Sequence, residues 1–221
     1  MLIDILKVVC PLVFQSSSSS PKSKLNETDL GILKIALMVA ALDNGVLPSE
    51  YAAFRYLSQH GFGYTEAATD VALKAAMHSA GYINLVSASD DDEGTLATFI
   101  DEAKAVLPTG FEKLSIEDVR QAITMWVAMA MSDGEYSKRE VEAIERLRVQ
   151  LAVMKAQDIA RREEFWRSQP KEVRCYIEDY PGSMVPLISK DFIGKVTTIL
   201  KEFGSTMKAS AKLEELIAKG E

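Results

Sequence analysis

From Leu25 onward apolar residues recur at three- and four-residue spacing, and almost no stretch alternates apolar with polar as a strand does, so the pattern predicts an all-α protein. The segment Asp29–Leu42, DLGILKIALMVAAL, is apolar on nearly every face apart from Lys34, which requires a buried helix, with Asn26 or Thr28 as its N-cap. A second central helix runs through SIEDVRQAITMWVAMAMS, Ser115–Ser132, where Ser115 and Asp118 stand at N-cap and N3 spacing. Between these two, Tyr64–Ala80 and Thr95–Val106 read as helices. They are joined by a solvated loop carrying Asp90, Asp91, Asp92, Glu93 and Gly94. Lys138 to about Arg167, Lys190–Phe203 and Lys208–Ala218 complete a helical bundle of about seven to nine helices.

The run Gln15–Ser20 offers no side chain to bury and reads as a flexible linker. The expected organisation is therefore residues 1–24 as an apolar segment plus linker, 25–203 as the helical domain and 204–221 as a helical tail. The opening MLIDILKVVCPLVF, residues 1–14, is shorter than the roughly 20 residues a spanning helix needs. Docking on the core, peripheral membrane contact and binding of a partner are its three readings. An early acidic residue, Asp4, and the absence of a small-residue cleavage site argue against a secretory signal, so a cytoplasmic or membrane-associated location is expected.

An internal repeat sharpens this outline. Met38–Leu57 aligns without gaps to Ala128–Leu147 at an offset of 90 positions, pairing Asp43 with Asp133, Glu50 with Glu140, Phe54 with Ile144 and Leu57 with Leu147. Each unit is a buried helix, a tight polar turn and a capped second helix. In the second unit Ser137 and Glu140 form a capping box; in the first, Leu47 takes the cap position, Pro48 falls at N1 and Glu50 at N3. Capping accounts for the glutamates. Asp43 and Asp133, in contrast, stand where the helix dipole disfavours a carboxylate by roughly 0.3–1 kcal/mol, so something has to compensate. An Asx-type turn and a hard cation held in an oxygen-rich site are the two alternatives.

The D-G-x-x-S-x-x-E segment from Asp133 to Glu140, following a small-residue apolar helix, resembles the signature of the TerB-like family named for bacterial tellurite resistance. The copy from Asp43 to Glu50, D-x-G-x-x-P-x-E, is similar to that family's internal duplicate, with Leu47 in place of the capping Ser or Thr. The resemblance implies a compact bundle with two units related by a pseudo-two-fold axis, a place among stress-response proteins, and acidic residues that hold a divalent metal. Carried onto this chain, the metal positions are Asp43, Glu50, Asp133 and Glu140, and the cation is of the Ca²⁺ or Mg²⁺ class.

Composition narrows the partners. With 25 basic against 32 acidic residues, a net charge of −7 argues against phosphate-backbone binding, which depends on clustered Lys and Arg, so no nucleic-acid partner is expected. Protein partners are, a homodimer among them. Cys10 and Cys175 have no CxxC spacing. An EF-hand loop counted from Asp133 places Lys138 and Ile144 where Gly and Glu belong, and one counted from Asp90 places Thr95 and Asp101 there. His60 and His78 read as structural or surface residues, and the phosphate-loop, dinucleotide, zinc-protease and nucleophile-elbow motifs are missing. The aromatic passage Glu163–Gly182, with Phe165, Trp166, Tyr176 and Tyr180, belongs either to the core or to a recognition surface. The expected function is a non-enzymatic stress-response or scaffold module that binds protein partners and a divalent cation, the alternative being a metal-dependent hydrolase or metal handler that uses the repeat carboxylates.

Overall fold

The computed structural model describes residues 21–43, 45–89, 91–107, 114–168, 191–203 and 207–219. The apolar segment 1–14, the linker, both cysteines, and Tyr176 and Tyr180 of the aromatic passage lie outside the described residues, as does the Trp166 side chain. Eight α-helices occur among the described residues: α1 (Glu27–Ala40), α2 (Pro48–Tyr56), α3 (Glu66–Ser89), α4 (Asp92–Val106), α5 (Ile116–Ala130), α6 (Lys138–Ser168), α7 (Phe192–Phe203) and α8 (Met207–Lys219). The only bridge outside them is between Lys22 and Tyr64, and there is no β-strand among the described residues. The all-α class holds.

α1 and α5 are the central helices, as their all-round apolar sequences require. Leu33, Ile35, Leu37, Met38 and Val39 of α1 and Ile123, Met125, Trp126, Val127 and Met129 of α5 are all buried. Asn26 caps α1, its Oδ1 accepting from the amide of Thr28 at 2.7 Å, and Ser115 with Asp118 forms the capping box of α5. The two helices pack on each other, and Trp126 Nε1 donates to the Ile32 carbonyl at 3.0 Å. α3 covers α1, α4 packs on α6, and α7 with α8 covers α5.

Two differences from the sequence reading have physical causes. α3 runs to Ser89 instead of ending at Ala80, and the extension carries a buried side of its own, with Ile83 in the core and Ser87 beside it. The described residues of the acidic run start a helix instead of forming a loop: Asp91 is the N-cap of α4, accepting from the Gly94 amide at 2.7 Å, and Asp92 and Glu93 open the helix with their carboxylates still largely exposed. Those two carboxylates favour the positive end of the α4 dipole and are paired across to α6, Asp92 with Arg139 at 2.5 Å and Glu93 with Arg146 at 2.6 Å. Read for helical period alone, the run looked like a linker because its partners are about fifty positions away.

α8 belongs to the packed core. Ala209, Leu213, Leu216 and Ile217 are buried, and the buried Arg120 of α5 donates through Nη1 to the Ile217 carbonyl at 2.9 Å. No helix among the described residues is long and apolar enough to cross a membrane.

Candidate functional site

The two helix-turn-helix units have matching boundaries. α1 ends at Ala40 and α2 begins at Pro48; α5 ends at Ala130 and α6 begins at Lys138, the same 90-position offset the sequence alignment gives. Burial follows the same correspondence: Glu50 and Glu140, Ala53 and Ala143, Phe54 and Ile144, and Leu57 and Leu147 are buried in each unit.

Both glutamates do cap their helices. Glu50 Oε2 accepts from the Leu47 amide at 2.5 Å and Glu140 Oε2 from the Ser137 amide at 2.9 Å, while Ser137 Oγ accepts from the Glu140 amide at 3.1 Å. Asp133 closes a 3₁₀ turn, Met131–Asp133, and its Oδ1 accepts from the Glu135 amide at 2.9 Å, an Asx-type turn. Gly134 makes this turn by adopting φ 97°, a left-handed conformation costly for any residue with a Cβ. At the other turn a cation from the second unit contributes. Arg139 of α6 donates through Nη1 to the Leu42 carbonyl at 3.3 Å, which places a guanidinium at the negative end of α1, directly before Asp43.

Capping does not exhaust the glutamates. Glu50 is 2% and Glu140 4% exposed, a degree of burial that only unusual surroundings make tolerable for a carboxylate. Burial is the largest cause of a Glu50 pKa pushed up to about 7, opposed by the Leu47 amide and reinforced by the charges of Asp133 and then Asp43. Glu140 is pushed up to about 8, again chiefly by burial, opposed by the Ser137 amide and reinforced by Asp43 and then Asp133. Each glutamate thus feels the aspartate of the other unit as well as its own. The packing explains the crossing, because the Met131–Asp133 turn lies on α2 and α6 lies against α1.

The structure therefore brings all four acidic positions into one electrostatic neighbourhood. They do not converge as drawn: among the described residues no three His, Cys, Asp or Glu side chains are placed to hold an ion together. Each glutamate turns Oε2 to its cap amide, and Oε1 takes no part in that bond. Their donor chemistry, carboxylate oxygens alone, is that of a hard divalent cation of the Ca²⁺ or Mg²⁺ kind.

A family model described as "Tellurite resistance protein TerB" matches residues 30–163. The chain belongs to the TerB family. The TerB span begins inside α1 and ends inside α6, so it contains both units and all four carboxylates, whereas α7 and α8 lie beyond it. Comparison with curated proteins and with solved structures finds no match.

The sequence reading missed two residues at this TerB site. Arg139 joins α6 to the ends of α1 and α3, donating also to the Ser87 carbonyl at 3.4 Å and through Nε to Asp92 at 2.5 Å. The repeat hid it, since the aligned residue of the first unit is Ser49. Tyr136, within the D-G-x-x-S-x-x-E segment, has its phenol pushed up by burial, and its buried hydroxyl has no hydrogen-bond partner among the described residues. An aromatic inside a polar turn was the available signal. His60 and His78 are both exposed, with His60 lying against the Tyr56 ring at 4.5 Å, and Phe165 is 66% exposed instead of buried in the core.

Proposed function

We propose that the chain is a non-enzymatic TerB module whose two helix-turn-helix units together take one hard divalent cation, and that it works as a stress-response scaffold for protein partners. The observation that carries this reading is the packing of the Met131–Asp133 turn on α2 and of α6 on α1, which sets the buried Glu50 and Glu140 within the field of the aspartates of both units. Glu50 and Glu140, buried and within the field of two aspartates, are unfavourable as anions, and either protons or a cation relieve the repulsion. At neutral pH the glutamates keep much of their protons, and a cation of the Ca²⁺ or Mg²⁺ class would displace them. Asp43, Asp133, Glu50 and Glu140 would hold it, and the charge it supplies would tie the two units together.

Thermal unfolding with Ca²⁺, Mg²⁺, Mn²⁺ and Zn²⁺ tests the reading. A ligand that binds only the folded chain stabilises it by about 2.7 kcal/mol at a hundredfold excess over its dissociation constant. The expected result is a rise in Tm with Ca²⁺ or Mg²⁺ that disappears in Asp133→Asn. No rise with any of the four, or a rise that survives the substitution, contradicts it.

A further inference from the structure

We propose that the apolar segment 1–14 docks back on its own domain, in the cleft between the first turns of α1 and α5. The cleft has a cavity volume of about 250 Å³. Ile32, Phe62, Leu114 and Met125 form its apolar part, and α1 and α5 each contribute a carboxylate to its lining, Asp29 and Asp118. That volume lies below the roughly 300–1,000 Å³ of small-molecule pockets, so the cleft suits the side chains of a peptide better than a whole cofactor.

The chain itself brings the occupant to this place. Lys22 is fixed one residue from Phe62: its amide donates to the Gly63 carbonyl at 2.8 Å, and its carbonyl accepts from the Thr65 amide at 3.0 Å. Asn26, the N-cap of α1, lines the cleft, and its amide donates to the Tyr64 hydroxyl at 2.8 Å. The entry of the chain into the domain is thus tied to one end of the cleft. The peptide units from Phe14 to Pro21 reach at most about 25 Å when fully extended. A tether of that length presents the segment to the cleft at an effective concentration on the order of millimolar, so weak contacts are enough to fill it.

Segment and cleft also match in charge. In IDILKVV, residues 3–9, one ammonium, Lys7, stands in an apolar run. The cleft sets two carboxylates beside an apolar floor, with no Lys or Arg among the residues that line it. Asp29 Oδ2 accepts from the Tyr64 hydroxyl at 2.7 Å and lies 3.5 Å from Lys22 Nζ, and Asp118 Oδ2 accepts from the Ser115 amide and hydroxyl. Oδ1 of each aspartate takes no part in these bonds and is the acceptor offered to Lys7. Leu6 and Val8 lose apolar surface to the floor, and Asp4, the one acid of the segment, would stay at the solvent edge. A membrane or a foreign partner then competes with the domain for the same apolar residues. The inference is independent of the acidic site of the repeats.

The full chain tests it, with Cys175→Ser leaving Cys10 as the one thiol for a nitroxide label. The label is expected to broaden the methyl resonances of Ile32, Leu114 and Met125, equally at low and high protein concentration. Lys7→Glu is expected to reduce that broadening severalfold with helix content unchanged, and Asp118→Asn, which retains an acceptor for the Ser115 amide, to reduce it as well. Broadening centred on other helices, or indifferent to either charge substitution, overturns the proposal. Broadening that grows with protein concentration overturns it in favour of a second copy. Absence of broadening at these methyls overturns it too, whether or not the labelled segment then binds vesicles of phosphatidylglycerol and phosphatidylcholine.

Discussion

Glu50, buried in the first unit, is raised by the charge of Asp133 in the second as well as by Asp43 of its own, and Glu140 by Asp43 as well as by Asp133. The acidic positions of this TerB chain thus form one shared group, in which a change in either turn is felt in both units.

The first consequence is a dependence of stability on pH. Both glutamates start from an ordinary value of 4.5 and are raised in the folded chain, to about 7 and about 8, so the folded state binds their protons more tightly than the unfolded state does. The stability they contribute is therefore complete at low pH and is lost as pH rises from about 5 through about 8. In the presence of a chelator, Tm is expected to fall across that window. Glu140→Gln, which retains an acceptor for the Ser137 amide, should flatten the fall and raise Tm at its alkaline end. A Tm that climbs with pH there, or a variant with an unchanged slope, contradicts the burial argument.

Arg139 is expected to act on stability from outside the four carboxylates. Its guanidinium joins the Leu42 and Ser87 carbonyls to Asp92, so Arg139→Ala removes the tie between the ends of α1 and α3 and the start of α4. A loss of about 1–2 kcal/mol in chemical denaturation is expected. The losses in Arg139→Ala and Asp92→Asn should be less than additive in the double variant. Full additivity would show that the observed pair does not act as one.

Much of this architecture was legible in the chain. α1 and α5 were recognisable as central because a helix apolar on every side has nowhere else to go, and the caps at Asn26, Ser115 and Ser137 have local side-chain signatures. The 90-position offset carried over to the helix boundaries because the turns of the two units have equal length. What could not be read were relations between distant positions. The pairing of Arg139 with Asp92 and of Arg146 with Glu93 was not visible, and the acidic run read as a loop, because an ion pair across 47 or 53 positions leaves no periodic trace. The aspartates remained ambiguous for the same reason. Asp133 has a local explanation in its own turn, and its effect on Glu50 depends on how the Met131–Asp133 turn packs on α2.

The C-terminal helices, which lie beyond the TerB span, are expected to fold as part of the domain. Arg120 is buried in α5 and holds the last turn of α8 through the Ile217 and Ala218 carbonyls, and the loss of solvent pushes its own pKa down. Arg120→Ala leaves those carbonyls without their donor and opens space in a close-packed region, for a cost of about 2–4 kcal/mol. Amide hydrogen exchange should rise through α8 before it rises in α1. Unchanged protection of α8 would mean that Leu213 and its apolar neighbours hold the helix without the guanidinium.

The most direct test of a cation shared by the two units is calorimetric titration of Mg²⁺ and Ca²⁺ into the wild type, Asp43→Asn and Asp133→Asn at neutral pH. The account predicts binding accompanied by proton release, weakened roughly tenfold or more by either substitution, because each turn contributes to one site. Binding that depends on Asp133 and is indifferent to Asp43, or no binding by the wild type, would contradict it.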